Sequence, residues 1–584
     1  MPFFLPAIGR LPLTLAPRIS KTAVRPPQFI VRWFSGLLLI AWLAGCASLP
    51  SEVDRPSSFA LENPAGTRLG AMVAARAATA GTRNDSGFAL VGSAELAFSS
   101  RMTLIKAAQK TLDLQYYAIF ADDTTERLFD ALREAAARGV RVRILLDDFN
   151  TSGKNAQVLT LAFEKNIDLR LFNPLPGGRS SLALRILSNL KDIGRIQRRM
   201  HNKILVADNA VAITGGRNLG ETYFGQSQGS NFVDLDMLAA GRIARDLSRS
   251  FDQYWNSPLA YPVESLMTRE DLEAIKPRPS GAGGVTGAEA GPDTGAATPA
   301  PSGTAAPAPA LAEADGNAAL STLPDSANLR LLTWTWAPSA LLADKPSKIS
   351  ADADAVEESQ DTTVDGLLNL MSQAKSDLFI VSPYFVPGPQ MMKQFADLRQ
   401  RGVRIRVLTN SLASNDAPAA HVGYARYRKA LLAMGIEIYE MRAEQRGTAS
   451  GFGSAAGRGA FGSSSGGSTG ESGAGSRASL HAKVVIVDDR LLVVGSMNLD
   501  LRSKLQNSEI AIVVRNRSIA AEATRLIEPT LATGAYHVEL VDGRLRWRAP
   551  ADSQLKDESS EPDASAGLKL LAMLLGPFAP DEML

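Results

Sequence analysis

Two of the four histidines in this 584-residue chain stand in the same pattern. His201 opens HNKILVAD, with Lys203 and Asp208, and His481 opens HAKVVIVD, with Lys483 and Asp488. Both read H-x-K-x-x-x-x-D. Each is followed by a Gly-containing turn ending in Asn, GGRN at Asn218 and GSMN at Asn498. Residues two apart in an extended segment share a face, so each histidine lies beside its lysine. Imidazole, ammonium and carboxamide together suit a phosphate: Lys and Asn hold its oxygens, and His attacks phosphorus or protonates a leaving oxygen. One copy makes half a site. Two copies brought together flank one phosphorus with two imidazoles, one as nucleophile and the other as general acid. The paired lysines supply the charge that a divalent ion supplies elsewhere, so no metal or other cofactor is expected. Asp208 and Asp488 complete the expected catalytic set. They are placed farther back, where they fix strand and turn geometry rather than touch the phosphate.

A single His-x-Lys is more often an ordinary strand end. Repetition with matching downstream turns is what gives the pattern its weight. Beyond each turn lies a candidate acid that could orient an imidazole of the same or the opposite motif. These are Asp234 and Asp236 in NFVDLDML, and Glu509 in QNSEIAIVV. Ahead of the first motif, Arg179, Arg185, Lys191, Arg195, Arg198 and Arg199 alternate with Leu and Ile. That alternation reads as a basic amphipathic helix lying on a membrane surface.

The elements that must position these residues also come twice. Helical spacing over 96–109 precedes a strand over 111–120, a helix over 124–137 and a strand ending at Asp148. The same order recurs as a helix over 363–374, a strand over 377–385, a helix over 389–400 and a strand over 401–410. RGVRVRILLD and RGVRIRVLTN are near copies. Alternating strands and helices imply a parallel or mixed sheet in each repeat, hence an α/β fold. The second repeat carries extra residues before its motif, in the Gly/Ser-rich stretch 446–479, which reads as a flexible loop. Residues 276–325 are rich in Pro, Ala, Gly and Thr and read as a disordered linker. The lobes are expected over 86–260 and 327–545, after a tether over 47–85 and before a C-terminal tail over 546–584.

A chain this long exceeds one compact core. Its formal net charge of +2 gives no global basic field, and no nucleic-acid partner is expected. The only cysteine, Cys46, follows an apolar run ending in Leu43-Ala44-Gly45, with Arg25 and Arg32 ahead of it. This reads as a lipoprotein signal over 1–46, with Cys46 lipidated and the protein held at the bacterial cell envelope facing the periplasm. The Pro-rich stretch 2–27 is longer than such a signal needs, and a start near Val31 would give a compact one.

The two motifs resemble the HKD motifs of the phospholipase D superfamily. Further stretches, among them IQRRMHNK, ITGGRNLGETYF, TNSLASNDAPAAHVGYARYRKALLAMGIEIYE and SLHAKVVIVDDRLLVVGSMNLDLRS, are similar to its bacterial cardiolipin synthase C-type branch. The resemblance implies two α/β/α lobes of one topology with a single active site at their interface, and a phosphohistidine intermediate. It implies that His201 attacks the donor phospholipid and that His481 protonates the departing alcohol. Lys203, Lys483, Asn218 and Asn498 would hold the phosphoryl oxygens, and His421 and Tyr424 would lie near the acceptor. The substrates it implies are phospholipids: phosphatidylglycerol as acceptor, and phosphatidylglycerol or phosphatidylethanolamine as donor. A hydrolase of the same superfamily and a nuclease are the competing functions.

Overall fold

In the computed structural model, residues 49–267, 332–444 and 477–575 are described, apart from 83, 228, 352–355, 357–360 and 552, together with 271 and 581. Cys46, the linker 276–325 and most of the loop 446–479 lie outside the described residues. The strands of the first half are β1 (Ser86–Val91), β2 (Thr111–Tyr116), β3 (Arg141–Asp147), β4 (Ile167–Phe172), β5 (Ile204–Ala207), β6 (Val211–Gly215), β7 (Ser230–Val233), β8 (Asp236–Ala240) and β9 (Ala260–Pro262). Those of the second are β10 (Thr335–Ala337), β11 (Ser339–Ala343), β12 (Asp377–Val381), β13 (Arg404–Asn410), β14 (Glu437–Met441), β15 (Arg477–Leu480), β16 (Val484–Val487), β17 (Leu491–Gly495), β18 (Ile510–Arg515), β19 (Ala535–Val541) and β20 (Arg544–Arg548).

They form two nine-stranded sheets, ordered β10-β1-β8-β6-β5-β2-β3-β4-β9 and β11-β18-β17-β16-β12-β13-β14-β19-β20. In each sheet three neighbouring strands run parallel, β2-β3-β4 and β12-β13-β14. The other neighbours are antiparallel, so both sheets are mixed. Helices Asp123–Ala137 and Gly388–Gln400 make the matching parallel crossovers. Each crossover closes on an Arg-Gly pair whose glycine is left-handed, Gly139 at φ 89° and Gly402 at φ 80°.

The repeats are not separated cleanly in sequence. β10 falls after the linker, yet it pairs with β1 of the first sheet, while β11 pairs with β18 of the second. The chain therefore passes between sheets at Pro338. The stretch expected to be a tether forms helix Arg68–Thr79 in its described part. Its extended portion is bonded to the first lobe, Ala60 N to Asp252 at 2.9 Å and Arg55 Nε to the Ala260 carbonyl at 3.1 Å. The tail forms helix Ala566–Leu575.

One hydrophobic cluster joins the halves. It contains Phe88, Ile204 and Val206 from the first sheet and Phe379, Val484 and Ile486 from the second. Ile243 and Leu247 of helix Arg242–Trp255, and Ile519 and Ile527 of helix Arg517–Thr533, complete it. The outer face of each sheet has its own core. Both motif strands, β5 and β16, are buried along their whole length, as apolar ILVA and VVIV require.

Candidate active site at the junction of the two lobes

Each motif histidine lies just ahead of a central strand that runs antiparallel to the first strand of the parallel trio. That geometry sets the histidine beyond the carboxyl ends of the parallel strands, where open α/β sheets bind their ligands. Backbone bonds then tie each motif to the other lobe. His201 N donates to the Ser508 carbonyl at 2.9 Å, and Ser508 N donates to Arg199 at 3.0 Å. His481 N donates to the Val233 carbonyl at 2.8 Å. β7 and β15, one from each half, pair in parallel as a small separate sheet.

The carboxylates cross over in the same way. His201 Nδ1 lies 3.0 Å from both oxygens of Glu509 in the second lobe. His481 Nδ1 lies 2.8 Å from one oxygen of Asp234 in the first. An ionised carboxylate only accepts, so it favours the tautomer with hydrogen on Nδ1 and leaves Nε2 for chemistry. Ser496 and Ser503 donate to Glu509 at 2.5 and 3.1 Å. Asp234 accepts from the Leu235 amide at 2.8 Å. A Cβ at Gly216 would fall 2.5 Å from either Asp234 oxygen, so the second glycine of GGRN makes room for the carboxylate. Tyr117 packs edge-on to His201 at 5.0 Å between ring centres, and Tyr223 edge-on to His481 at 5.3 Å.

Both imidazoles are buried, and each feels both motif lysines. Burial, then Lys203 and Lys483, holds His201 well below its ordinary range. Burial and the same two lysines do the same to His481, with His201 itself contributing. Burial also brings Lys203 down to about 7 and Lys483 down to about 8, although Glu509 and Asp234 pull both upward. Glu509 is pushed up to about 7 by burial, against the pull of Lys203. The site thus concentrates lysine and imidazole groups where water is scarce, and an anionic phosphodiester would relieve that stress. Lys203 Nζ donates to the His201 carbonyl at 2.7 Å, and Lys483 Nζ donates to that of His481.

The remaining expected residues divide. Asp208 and Asp488 sit at the far ends of β5 and β16, each first in a turn with two left-handed residues, φ 52° and 51° in one and 52° and 50° in the other. Asp208 accepts from the amides of Gln109, Lys110 and Thr111, and Asp488 from those of Lys375, Ser376 and Asp377. They hold strands in register and belong to positioning rather than chemistry. Asn218 accepts from the Ala118 amide and donates to the Tyr223 hydroxyl, so its carboxamide is engaged within its own lobe. Asn498 differs: its side-chain oxygen is buried with no hydrogen-bond partner among the described residues.

Three expectations need correction. Asp236 touches neither histidine; it pairs with Arg101 at 2.9 Å and Arg217 at 3.3 Å, two buried cations that neutralise it. His421 and Tyr424 are engaged with acids outside both motifs. They share one face of helix Pro418–Ala433 and meet Glu561 at 3.3 Å and Glu440 at 2.8 Å. There His421 lines a cavity of about 590 Å³ with Val422, Arg426, Trp547 and Lys569. The basic stretch does not form a basic face, because Arg179 and Arg185 turn inward onto Asp148 and Arg199 onto Asp147.

Several residues of the site escaped the sequence reading. Ser496 stands inside the GSMN turn itself. Asp416 bonds the Tyr384 hydroxyl at 2.8 Å and raises Lys483 by its charge. Arg502 contributes charge at His201 and donates to the Gln197 carbonyl at 3.3 Å.

Comparison with known proteins agrees with this geometry. The family model "Cardiolipin synthase, PLD-like domain" matches residues 102–255 and 367–530. The chain is 33% identical to cardiolipin synthase C of Escherichia coli, covering 84% of this chain and 94% of that one. It is 30% identical to an uncharacterized protein of Helicobacter pylori, over 92% of this chain and 97% of the relative. The crystal structure of phosphatidylserine synthase from Haemophilus influenzae superposes with a TM-score of 0.51 at 12% identity, covering 87% of this chain and 99% of that one, and shares the fold. The chain belongs to the phospholipase D-like cardiolipin synthase family, phosphatidyltransferases that act on phospholipids.

Proposed function

We propose that this protein makes cardiolipin by a two-step transfer, with phosphatidylglycerol as acceptor and a phosphatidyl–His201 intermediate. The crossed pairing of each motif histidine with a carboxylate of the other lobe is the observation that carries this reading. In the first step His201 Nε2 attacks phosphorus. The bond from phosphorus to the headgroup oxygen breaks, and that oxygen takes its electron pair and a proton from His481. In the second step the free hydroxyl of phosphatidylglycerol attacks phosphorus and gives its proton to His481. The P–N bond breaks and its electrons return to His201. Glycerol leaves when phosphatidylglycerol is the donor, and ethanolamine when phosphatidylethanolamine is. Lys203, Lys483 and the side-chain N–H of Asn498 donate to the phosphoryl oxygens, and Glu509 and Asp234 are positioning residues. Burial of both imidazoles limits water as a competing acceptor, which favours transfer over hydrolysis.

Incubation with phosphatidylglycerol, with and without phosphatidylethanolamine, followed by mass spectrometry of the lipids, tests this. Cardiolipin with released glycerol or ethanolamine is expected; phosphatidic acid as the main product would make the protein a hydrolase. Attachment at the envelope through Cys46 rests on the LAGC sequence. A Cys46→Ser protein should lose metabolic lipid labelling, and unchanged labelling would remove that attachment. Among the described residues no helix is long and apolar enough to cross a membrane.

A further inference from the structure

The segment that leads into the first motif is amphipathic in the reverse of the expected sense. Helix Leu182–Ser188, the turn Leu190–Asp192 and helix Ile193–Gln197 follow one another without a break. The first arginine of the segment points inward. Arg185 is fully buried on Asp148, and its guanidinium also donates to the Leu175 carbonyl at 2.9 Å. Every third residue points outward and is apolar: Leu184, Leu187, Leu190 and Ile193 are 62, 64, 51 and 54% exposed. Four large aliphatic side chains in a row on a surface are not accounted for by folding, since their burial is what normally stabilises a helix this short. Lys191 is exposed within the ridge, and Arg195 stands half-buried at its end, paired to Asp192 at 3.0 Å.

The ridge is fixed to the active site rather than to a remote flank. The Gln197 carbonyl accepts from Arg502, whose charge reaches His201. Arg199 then bonds across to Ser508, and His201 follows two residues later. We propose that Leu184, Leu187, Leu190 and Ile193 insert into the outer part of a phospholipid leaflet and so bring the junction of the lobes against the bilayer. This rests on the reading of the site as one that acts on phospholipids. An anionic leaflet is the occupant that fits, because Arg195 offsets Asp192 and leaves the exposed Lys191 as a net positive charge within the apolar ridge. Exposed aliphatic side chains with net positive charge beside them are the composition of interfacial helices. The insertion brings a lipid headgroup to the histidines without extracting the whole lipid into water.

The test uses the full chain and vesicles of phosphatidylglycerol mixed with phosphatidylcholine. Leu187→Trp should gain tryptophan fluorescence that is quenched when the phosphatidylcholine is brominated on its acyl chains. A triple variant, Leu184→Ser with Leu187→Ser and Leu190→Ser, should raise KM towards vesicles by about tenfold or more. The same variant should turn over a short-chain phosphatidylglycerol, below its micelle concentration, at the parent rate. Absence of quenching, or an unchanged vesicle KM, overturns the proposal. An equal loss on the short-chain lipid overturns it too, since the ridge would then serve the site's structure. A fall in sedimenting mass for the triple variant would identify a second copy of the chain as the occupant and likewise overturn it. If neither protein processes any phospholipid, the phospholipid reading fails while the quenching measurement still decides insertion.

Discussion

His201 shares its Nδ1 with both oxygens of Glu509 at 3.0 Å, whereas His481 meets a single oxygen of Asp234 at 2.8 Å. The two half-sites descend from one pattern, yet they differ in how the carboxylate is held. Glu509 is fixed by two serine hydroxyls, and its own amide donates to Asp344 at 2.9 Å. Asp234 has one backbone amide and the space left by Gly216. Ser496 and Gly216 occupy equivalent places in the GSMN and GGRN turns, so one residue in the repeat accounts for much of the difference. A nucleophile must return to one position after each transfer, and a network of hydroxyls suits that need. A proton carrier swings between two oxygens in turn, and a single contact leaves it that freedom. The asymmetry therefore fits His201 as nucleophile and His481 as acid and base.

The largest losses are expected at the histidines. His201→Ala and His481→Ala should each lower transfer by about 10⁴-fold or more, and the double variant should be no worse, because the pair acts as a unit. A His481→Ala protein making cardiolipin at the normal rate would leave the symmetric half without a role. The carboxylates sharpen the contrast. Glu509→Gln should cost roughly 10³-fold in kcat and Asp234→Asn about tenfold less, read by steady-state kinetics on one lipid dispersion. Equal losses would erase the distinction between a locked and a loose imidazole.

Proton dependence offers a third probe. Lys203 at about 7 and Lys483 at about 8 carry charge mainly below those values before substrate binds. Their deprotonation removes the cations that draw in the anionic phosphodiester, so kcat/KM should fall as pH rises through 7 to 8. Bound phosphate favours the ammonium forms, so the alkaline limb of kcat should lie at higher pH. Burial and the two lysines hold both imidazoles low, so His201 is neutral for attack, while His481, which must donate, gains its proton as the anionic phosphodiester binds and offsets the lysines. Coincident alkaline limbs in kcat and kcat/KM would contradict this assignment. The smallest effect on chemistry should come from the aspartates of the motif name. Asp208 is fully buried and Asp488 partly exposed. Asp208→Ala should lower stability by about 2 kcal/mol, and Asp488→Ala by less, with kcat nearly unchanged once folded. Chemical denaturation checks both.

The repeat was legible from sequence because the motif is chemical and its supporting strands are apolar throughout. His201, Lys203, His481 and Lys483 meet at one junction because ILVA and VVIV take equivalent central places in two sheets. What could not be read was which partner each group takes across the fold. Asp234 and Asp236 look alike two residues apart, but Arg101 and Arg217 wait under one of them and His481 beside the other. The amphipathic stretch before His201 showed its period correctly and its direction wrongly. Periodicity does not say which face meets Asp147 and Asp148, and two buried acids turned the arginines inward. Membership of β10 in the first sheet was equally hidden, since it depends on where the chain crosses at Pro338.

The most direct test of two histidines with unequal roles on one phosphorus is a rapid-quench experiment with phosphatidylglycerol labelled at its phosphorus. The reaction is stopped in alkali within one turnover and the labelled peptides are sequenced. An alkali-stable, acid-labile adduct is expected on the peptide containing His201 and none on that containing His481. Label on His481, or a full turnover during which no adduct forms on either, would contradict it.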